Sequence, residues 1–342
     1  MSMKRNYKYS LSLLPGAMVI AGNLLGGWWV ALNVVFVFAV IAVLEVFASE
    51  DKDNTNHRED WFPDALLMLH VLVQTTSIVT MLWSLNRFDY SPGQLLLMGI
   101  SVGTNSGSSA IVIAHELIHR NSRFLRSLGG YLLLTAGNIY FFVDHLKVHH
   151  KHVGTDLDPA TARRGESVYA FFVRSVSGQI KSAWSVESVQ LKKSGKSGFH
   201  PSNYVLSSFV ILLILVASLW FFLGPLFAAM FMLQTFFANF LLEYTNYIEH
   251  YGLSRKPNER VTEKHSWQTD KVISRYFLID LSRHADHHYH ASKPYHTLHS
   301  YESSPVLPLG YVSMIFCALI PPLFYQIMEP RIPNVHIPSE NH

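Results

Sequence analysis

Nineteen histidines share this chain with a single cysteine, Cys317. Nine of those histidines fall into four short motifs. His115 and His119 lie in HELIH, and His145, His149 and His150 in DHLKVHH; His250 lies in NYIEHYGL, and His284, His287 and His288 in RHADHH. His115/His119, His145/His149 and His284/His288 are each four residues apart, a spacing that puts both imidazoles on one face of a helix. Neutral imidazole suits iron, copper and zinc, and nine donors exceed what one ion accepts. Two ions, with about four or five nitrogens each, would share them and keep a position for an exchangeable ligand. Such an open, nitrogen-rich pair suits oxygen activation, so iron is expected ahead of zinc. One HExxH pattern occurs by chance in many helices, and a lone His250 beneath an apolar helix would ordinarily be an interface residue. Three clusters on one face are not explained that way.

Carboxylates accompany the histidines. Glu116, Asp144, Glu249 and Asp286 each adjoin a proposed ligand, and Asp156 and Asp158 follow the second motif. A metal-bound imidazole normally donates its other N–H to a carboxylate or carbonyl, which fixes the tautomer. Glu249, Asp158 and Glu116 are the candidates for direct roles in the chemistry; neighbours on a helix point about 100° apart, so pairing with neighbouring helices is the alternative for several of these carboxylates. Glu243, with Asn239 and Asn246, marks a polar helix face leading to His250, either functional or a helix–helix hydrogen bond. His152, His265 and His290 are candidate supports behind the ligands. His57, His70, His200, His296, His299, His336 and His342 are scattered and read as ordinary surface or core residues.

The elements that must position these residues are membrane helices. The chain has 342 residues, of which 49% are hydrophobic and only 15% charged. That excludes disorder, and one cysteine excludes a disulfide scaffold, iron–sulfur clusters and a CxxC pair. A net charge of +3 without a Lys/Arg block gives no sign of nucleic-acid binding. Apolar stretches long enough to cross a hydrocarbon core predict six spans, near residues 11–26, 28–47, 65–85, 93–114, 203–223 and 226–248. The expected fold is thus an all-α integral membrane protein, a single domain over residues 1–342, with metal-site regions at 115–202 and 249–342. The fourth span is rich in Gly and Ser and should be central, since small residues let helices approach closely. Ser127–Val143 and the proline-broken Pro305–Met328 read as interfacial or buried segments instead. With both termini cytoplasmic, Arg87 alone of 27 Lys/Arg residues falls outside, a strong positive-inside pattern. All nine clustered histidines then lie on the cytoplasmic side. The first apolar segment reads as a span, because no A-x-A cleavage pattern follows it.

The motifs resemble the membrane-bound alkane 1-monooxygenase family and the related xylene monooxygenase hydroxylase subunits. The resemblance runs from about His115 to His299 and is most specific in NYIEHYGL (Asn246–Leu253), with LDPATARRGESVY (Leu157–Tyr169) and LSRHADHH (Leu281–His288) as further signatures. The second motif departs from the usual EHxxGHH, with Asp144 for Glu and Val148 for Gly, while its histidines are intact. What the resemblance implies is a non-haem di-iron hydroxylase of the bacterial cytoplasmic membrane, with two Fe ions and O2 as co-substrate. It would hydroxylate the terminal C–H bond of a medium-chain alkane to a primary alcohol. Electrons would come from NAD(P)H through a reductase and rubredoxin or a ferredoxin-type donor. The absence of a GxGxxG fingerprint fits a separate donor. Lys147, Lys151, Arg163, Arg164, Lys192, Lys193 and Lys196 form a basic face suited to an acidic carrier or to lipid headgroups.

Rival readings are a methyl hydroxylase acting on xylene- or toluene-type aromatics, a desaturase of the same superfamily, a zinc protease using HELIH alone, and a membrane metal transporter. A transporter would place ligands near the bilayer midplane. A hydrophobic substrate would come from the bilayer between the fourth and sixth spans toward His119 and His250, with Trp28, Trp29 and Trp83 as candidate stops on its depth.

Overall fold

The computed structural model describes residues 6–54 and 61–333; His57, His336 and His342 lie outside them. The described residues form helices and loops, with two isolated bridges, Glu50 to Lys271 and Gln268 to Val306, as the β-type pairing among them. Among the described residues, five helices are long and apolar enough to cross a membrane. They are α2 (Gly27–Phe47), α3 (Phe62–Arg87), α4 (Pro92–Ile118), α8 (Tyr204–Leu223) and α9 (Pro225–His250). The remaining expected span, near residues 11–26, is a 3-10 turn (Tyr7–Leu13) leading into the twelve-residue α1 (Leu14–Leu25). At 1.5 Å per residue, α1 alone reaches roughly 18 Å, short of a bilayer core. It folds back on α2 at Gly26, whose φ of 70° favours glycine.

The helix α4 is central, as its small residues predict: 78% of its most apolar stretch is inside the protein, against 11% for α8. Gly99, Gly103 and Gly107 form a four-residue ladder against α9. A Cβ at Gly103 would lie 2.7 Å from the Gln234 carbonyl oxygen, and one at Gly107 would lie 3.0 Å from that of Ala238. Polar side chains then bridge the helices where the backbones meet. Asn105 donates to Gln74 (3.0 Å), Gln74 to Ser106 (2.9 Å), and Ser106 to Gln234 (2.8 Å). His70 is one of these buried bridging groups, held between Ser12 and Ser109 at 2.8 Å each.

The two segments read as interfacial are short helices: α5 (Arg123–Thr135), and the pair α12 (Tyr311–Ala318) and α13 (Pro321–Met328). Helix α6 covers residues 141–152. A 26-residue helix, α7 (Val168–Lys193), was not foreseen, because its stripe of buried Phe171, Ser175, Gln179, Ala183 and Glu187 is half polar. It packs on α9 through Gln179, which donates to Glu243 at 2.7 Å. Glu243 therefore makes a helix–helix bond, the structural alternative of the two readings. The C-terminal region carries α10 (Val272–Phe277) and α11 (His284–Tyr289). Between them Ile279 and Asp280 have φ of 45° and 57°, a turn clamped by the buried Arg275–Asp280 pair at 2.7 Å. Glu45, buried in α2, accepts from Ser274 (2.5 Å) and the Ser313 amide (2.7 Å), which ties this region to the bundle.

Candidate metal centre

All nine clustered histidines converge where α4 and α9 end, and they divide into two sets. His115, His119, His145, His150 and His287 form one; His149, His250, His284 and His288 form the other, and within each set the donor atoms lie within 4.8 Å of one another. In the five-histidine set, Nε2 atoms face each other at 2.9 Å (His115–His287 and His145–His150), 3.1 Å (His145–His119 and His150–His287) and 3.2 Å (His150–His119). In the four-histidine set, His284 and His288 meet at 2.9 Å. The sets adjoin, with the His150 and His288 rings 4.8 Å apart.

The division corrects one expectation. His145 and His149, expected to act as a pair, fall in different sets, and residues His145–His149 form a π-turn rather than an α-turn. A π-turn is wound more loosely, with hydrogen bonds from i to i+5 in place of i to i+4; here His145 meets His150, Nε2 to Nε2 at 2.9 Å, and His149 lies in the other set. His115/His119 and His284/His288 keep the α spacing and stay together, while His287, on another face of α11, joins the five-histidine set.

The donor set fits metal ions. Nε2 of His149 and of His250 are buried without a hydrogen-bond partner among the described residues, a costly state unless a cation takes the lone pair. Facing Nε2 atoms in a five-membered cluster cannot all be satisfied by shared protons, since a neutral imidazole has one N–H. Burial first, and then neighbouring imidazoles, hold His145, His150, His284, His287 and His288 well below the ordinary histidine range; His119 is pulled down to about 4 by burial and His149. They are therefore neutral, the form that ligates. Burial also pulls on His149, but the Asp158 carboxylate outweighs it and keeps this residue above its usual value.

Asp158 supports the site directly: Oδ2 lies 2.9 Å from His149 Nδ1 and also accepts from Thr161 (2.7 Å). This leaves His149 Nε2 as the free lone pair. Glu249 is buried with one oxygen 3.2 Å from His284 Nε2 and the other accepting from Tyr311 at 2.7 Å. Glu116 is placed differently from the expectation for a reacting group: its carboxylate is ion-paired with Arg120 at 2.8 Å. Asp286 anchors the loop after α11, accepting from Lys293 (2.9 Å), the His299 amide (2.7 Å) and Tyr301 (3.0 Å), and meeting His290 at 2.7 Å. Asp144 bonds Ser182, and burial pushes it up to about 7; Asp156 is exposed. Among the candidate supports, the carbonyl of His265 lies 3.4 Å from His250 Nδ1. Tyr311 and Thr161 were missed, for no motif marks a hydroxyl that reaches the site from 62 residues away or through an aspartate.

A small apolar cavity touches His115, His145, His284 and Glu249, and a second, lined by Val37, Phe38 and Ile315, adjoins it through the shared walls Gly107, Val112, Thr245 and Leu281. The proposed tryptophan stops do not line it. Trp28, Trp29 and Trp83 are 66%, 58% and 45% exposed on the outer surface, positions of interfacial anchors rather than of a channel end.

The sequence model of the fatty acid desaturase family matches residues 92–318. The chain is 32% identical to "Alkane 1-monooxygenase 1" of Alcanivorax borkumensis over 96% of its own length and 85% of the relative's. It is 35% identical to the protein of the same name from Pseudomonas aeruginosa, over 89% and 83%. A xylene/toluene monooxygenase hydroxylase component of Pseudomonas putida is 26% identical over 95% and 88%. The two histidine sets at the ends of apolar helices are thus those of a metal-binding membrane oxidoreductase, and the chain belongs to the alkane 1-monooxygenase family within the fatty-acid-desaturase superfamily.

Proposed function

We propose that the chain is a terminal hydroxylase that converts a medium-chain alkane to its primary alcohol. The observation that carries this is the contact between an apolar cavity and both histidine sets, at His115, His145 and His284. An alkane has no polar handle, so it must be held by shape and by exclusion of water, and this cavity offers mainly aliphatic and aromatic walls. In the overall reaction one atom of O2 enters the C–H bond and the other leaves as water. Two electrons and two protons balance it, with NAD(P)H as their source through a reductase and a rubredoxin or ferredoxin-type carrier.

The nine histidines would hold two irons, which when bound supply the redox chemistry that activates O2. The protein's own groups prepare the place. Asp158 fixes the proton of His149 on Nδ1, so Nε2 faces inward. Tyr311 holds the Glu249 carboxylate beside His284. Val112, Phe141 and Leu281 line the cavity next to the histidines and keep water from the reacting carbon.

The proposed topology has both termini and the histidine sets on the cytoplasmic side of a bacterial inner membrane, with α1 and its preceding turn completing a sixth span. Part of the basic face is neutralised internally, as Lys147 pairs with Glu187 at 2.9 Å and Arg164 with Glu329. Lys151, Arg163, Lys192, Lys193 and Lys196 remain exposed to steer an acidic carrier. The methyl group of an alkyl aromatic is the second reading, favoured by the similarity to a xylene/toluene hydroxylase component. Product analysis of cells given alkanes and xylenes separately under 18O2 tests the proposal. A labelled primary alkanol supports it, labelled benzylic alcohol alone moves the substrate to the second reading, and an alkene without label contradicts hydroxylation.

A further inference from the structure

A second groove lies away from the histidines, between α5 and the first turns of α8, with a volume of about 570 Å³. Its walls are Leu134, Ile139, Phe142 and Ile211, and Arg123 and Arg126 stand at its rim. Gly130 keeps it open, since a Cβ there would come within 3.2 Å of the Tyr204 hydroxyl. The height is set by the fold: α8 and α9 form a hairpin at Gly224, so Tyr204 lies at the same end of the bundle as His250. The groove therefore sits where the apolar spans give way to the histidine-bearing region, at the level of lipid headgroups.

Charge at the rim is unbalanced. Arg123 and Arg126 are exposed and make no ion pair among the described residues; Arg126 lies 5.2 Å over the Phe142 ring. Glu187, whose carboxylate reaches the groove residue Tyr204 at its amide (3.0 Å), is already bound by Lys147 at 2.9 Å. Two uncompensated guanidinium groups above an apolar slot match a phosphate joined to an acyl chain. We propose that this groove binds one anionic phospholipid, its headgroup at Arg123 and Arg126 and one acyl chain between Phe142 and Ile211. The lipid would brace α5, which packs against the end of α4 that bears His115.

Native mass spectrometry of the full chain, released from membranes containing equal phosphatidylglycerol and phosphatidylcholine, tests this. The wild type should retain one phosphatidylglycerol in preference to phosphatidylcholine. Arg123→Gln with Arg126→Gln should reduce that preference by roughly tenfold or more, given about 1 kcal/mol per basic residue at a lipid surface. Ser208→Trp, which fills the groove, should remove bound lipid of either kind, with iron content unchanged in every variant. Equal retention of both lipids by the wild type, or an unchanged preference in the double arginine variant, overturns the proposal. A Ser208→Trp protein that loses a dimer but keeps its lipid would assign the groove to a second copy of the chain and overturn it as well.

Discussion

His250 stands alone in sequence, yet its Nε2 is as deeply enclosed as any ligand in the nine and lacks a partner among the described residues. Replacing it by alanine should therefore lower iron per chain as much as replacing His115 does, measured by metal analysis of purified protein; full iron in His250→Ala would remove α9 from the centre. Asp158→Asn tests the support behind the ligands. The amide keeps the bond to Thr161 but no longer enforces the His149 tautomer, so iron affinity should fall by about 10–100-fold with thermal stability nearly unchanged. An unaltered affinity would reduce Asp158 to a loop anchor. At this scale the sequence was highly legible, because imidazole spacing carries its own chemistry. What it did not carry were partners distant along the chain: Tyr311 reaches Glu249, and Arg120 claims Glu116, through folding that no local pattern encodes.

Among the elements, the π-turn at His145–His149 does the sorting of ligands into two sets. Inserting one alanine after Lys147 would carry His149 and His150 a further residue along the helix, roughly 100° round from His145. The insertion should lose iron while circular dichroism still reports a helical protein, whereas Lys147→Ala should keep its iron. Equal iron in both would mean that the turn is irrelevant to the partition. This feature was illegible for a physical reason: a π-turn differs from an α-turn by one residue of register, and DHLKVHH is compatible with either. The glycine ladder of α4 was legible, since Gly and Ser at four-residue spacing have few other uses inside a membrane helix. Gly103→Ala should cost about 1–3 kcal/mol through overpacking against Gln234 and Phe237, read as a lowered midpoint of thermal unfolding. No change in the midpoint would show that α4 and α9 can separate freely. Helix α7 escaped notice because it is neither apolar enough for a span nor amphipathic enough to stand out from a polar loop.

Across the whole molecule, the cavity and the histidines divide the work between lipid and water. The long, apolar helices were readable from hydropathy: five of the six expected spans are long helices, and residues 11–26 are instead a 3-10 turn leading into α1. The depth of the cavity was not readable, because tryptophans at helix ends look the same in sequence whether they face a channel or the bilayer. Thr104 lines the cavity beyond Gly107, so Thr104→Phe should shorten the longest alkane accepted while iron content stays constant. Trp28→Ser and Trp83→Ser should leave the chain-length profile unchanged; a longer product series from either would return the stops to the tryptophans. The central claim is that five and four histidines hold two separate irons. Its most direct measurement is iron per chain in purified wild type beside a His284→Ala/His288→Ala variant. Two irons falling to one, with the protein still folded, is the predicted result; a single iron or a single zinc in the wild type would contradict it.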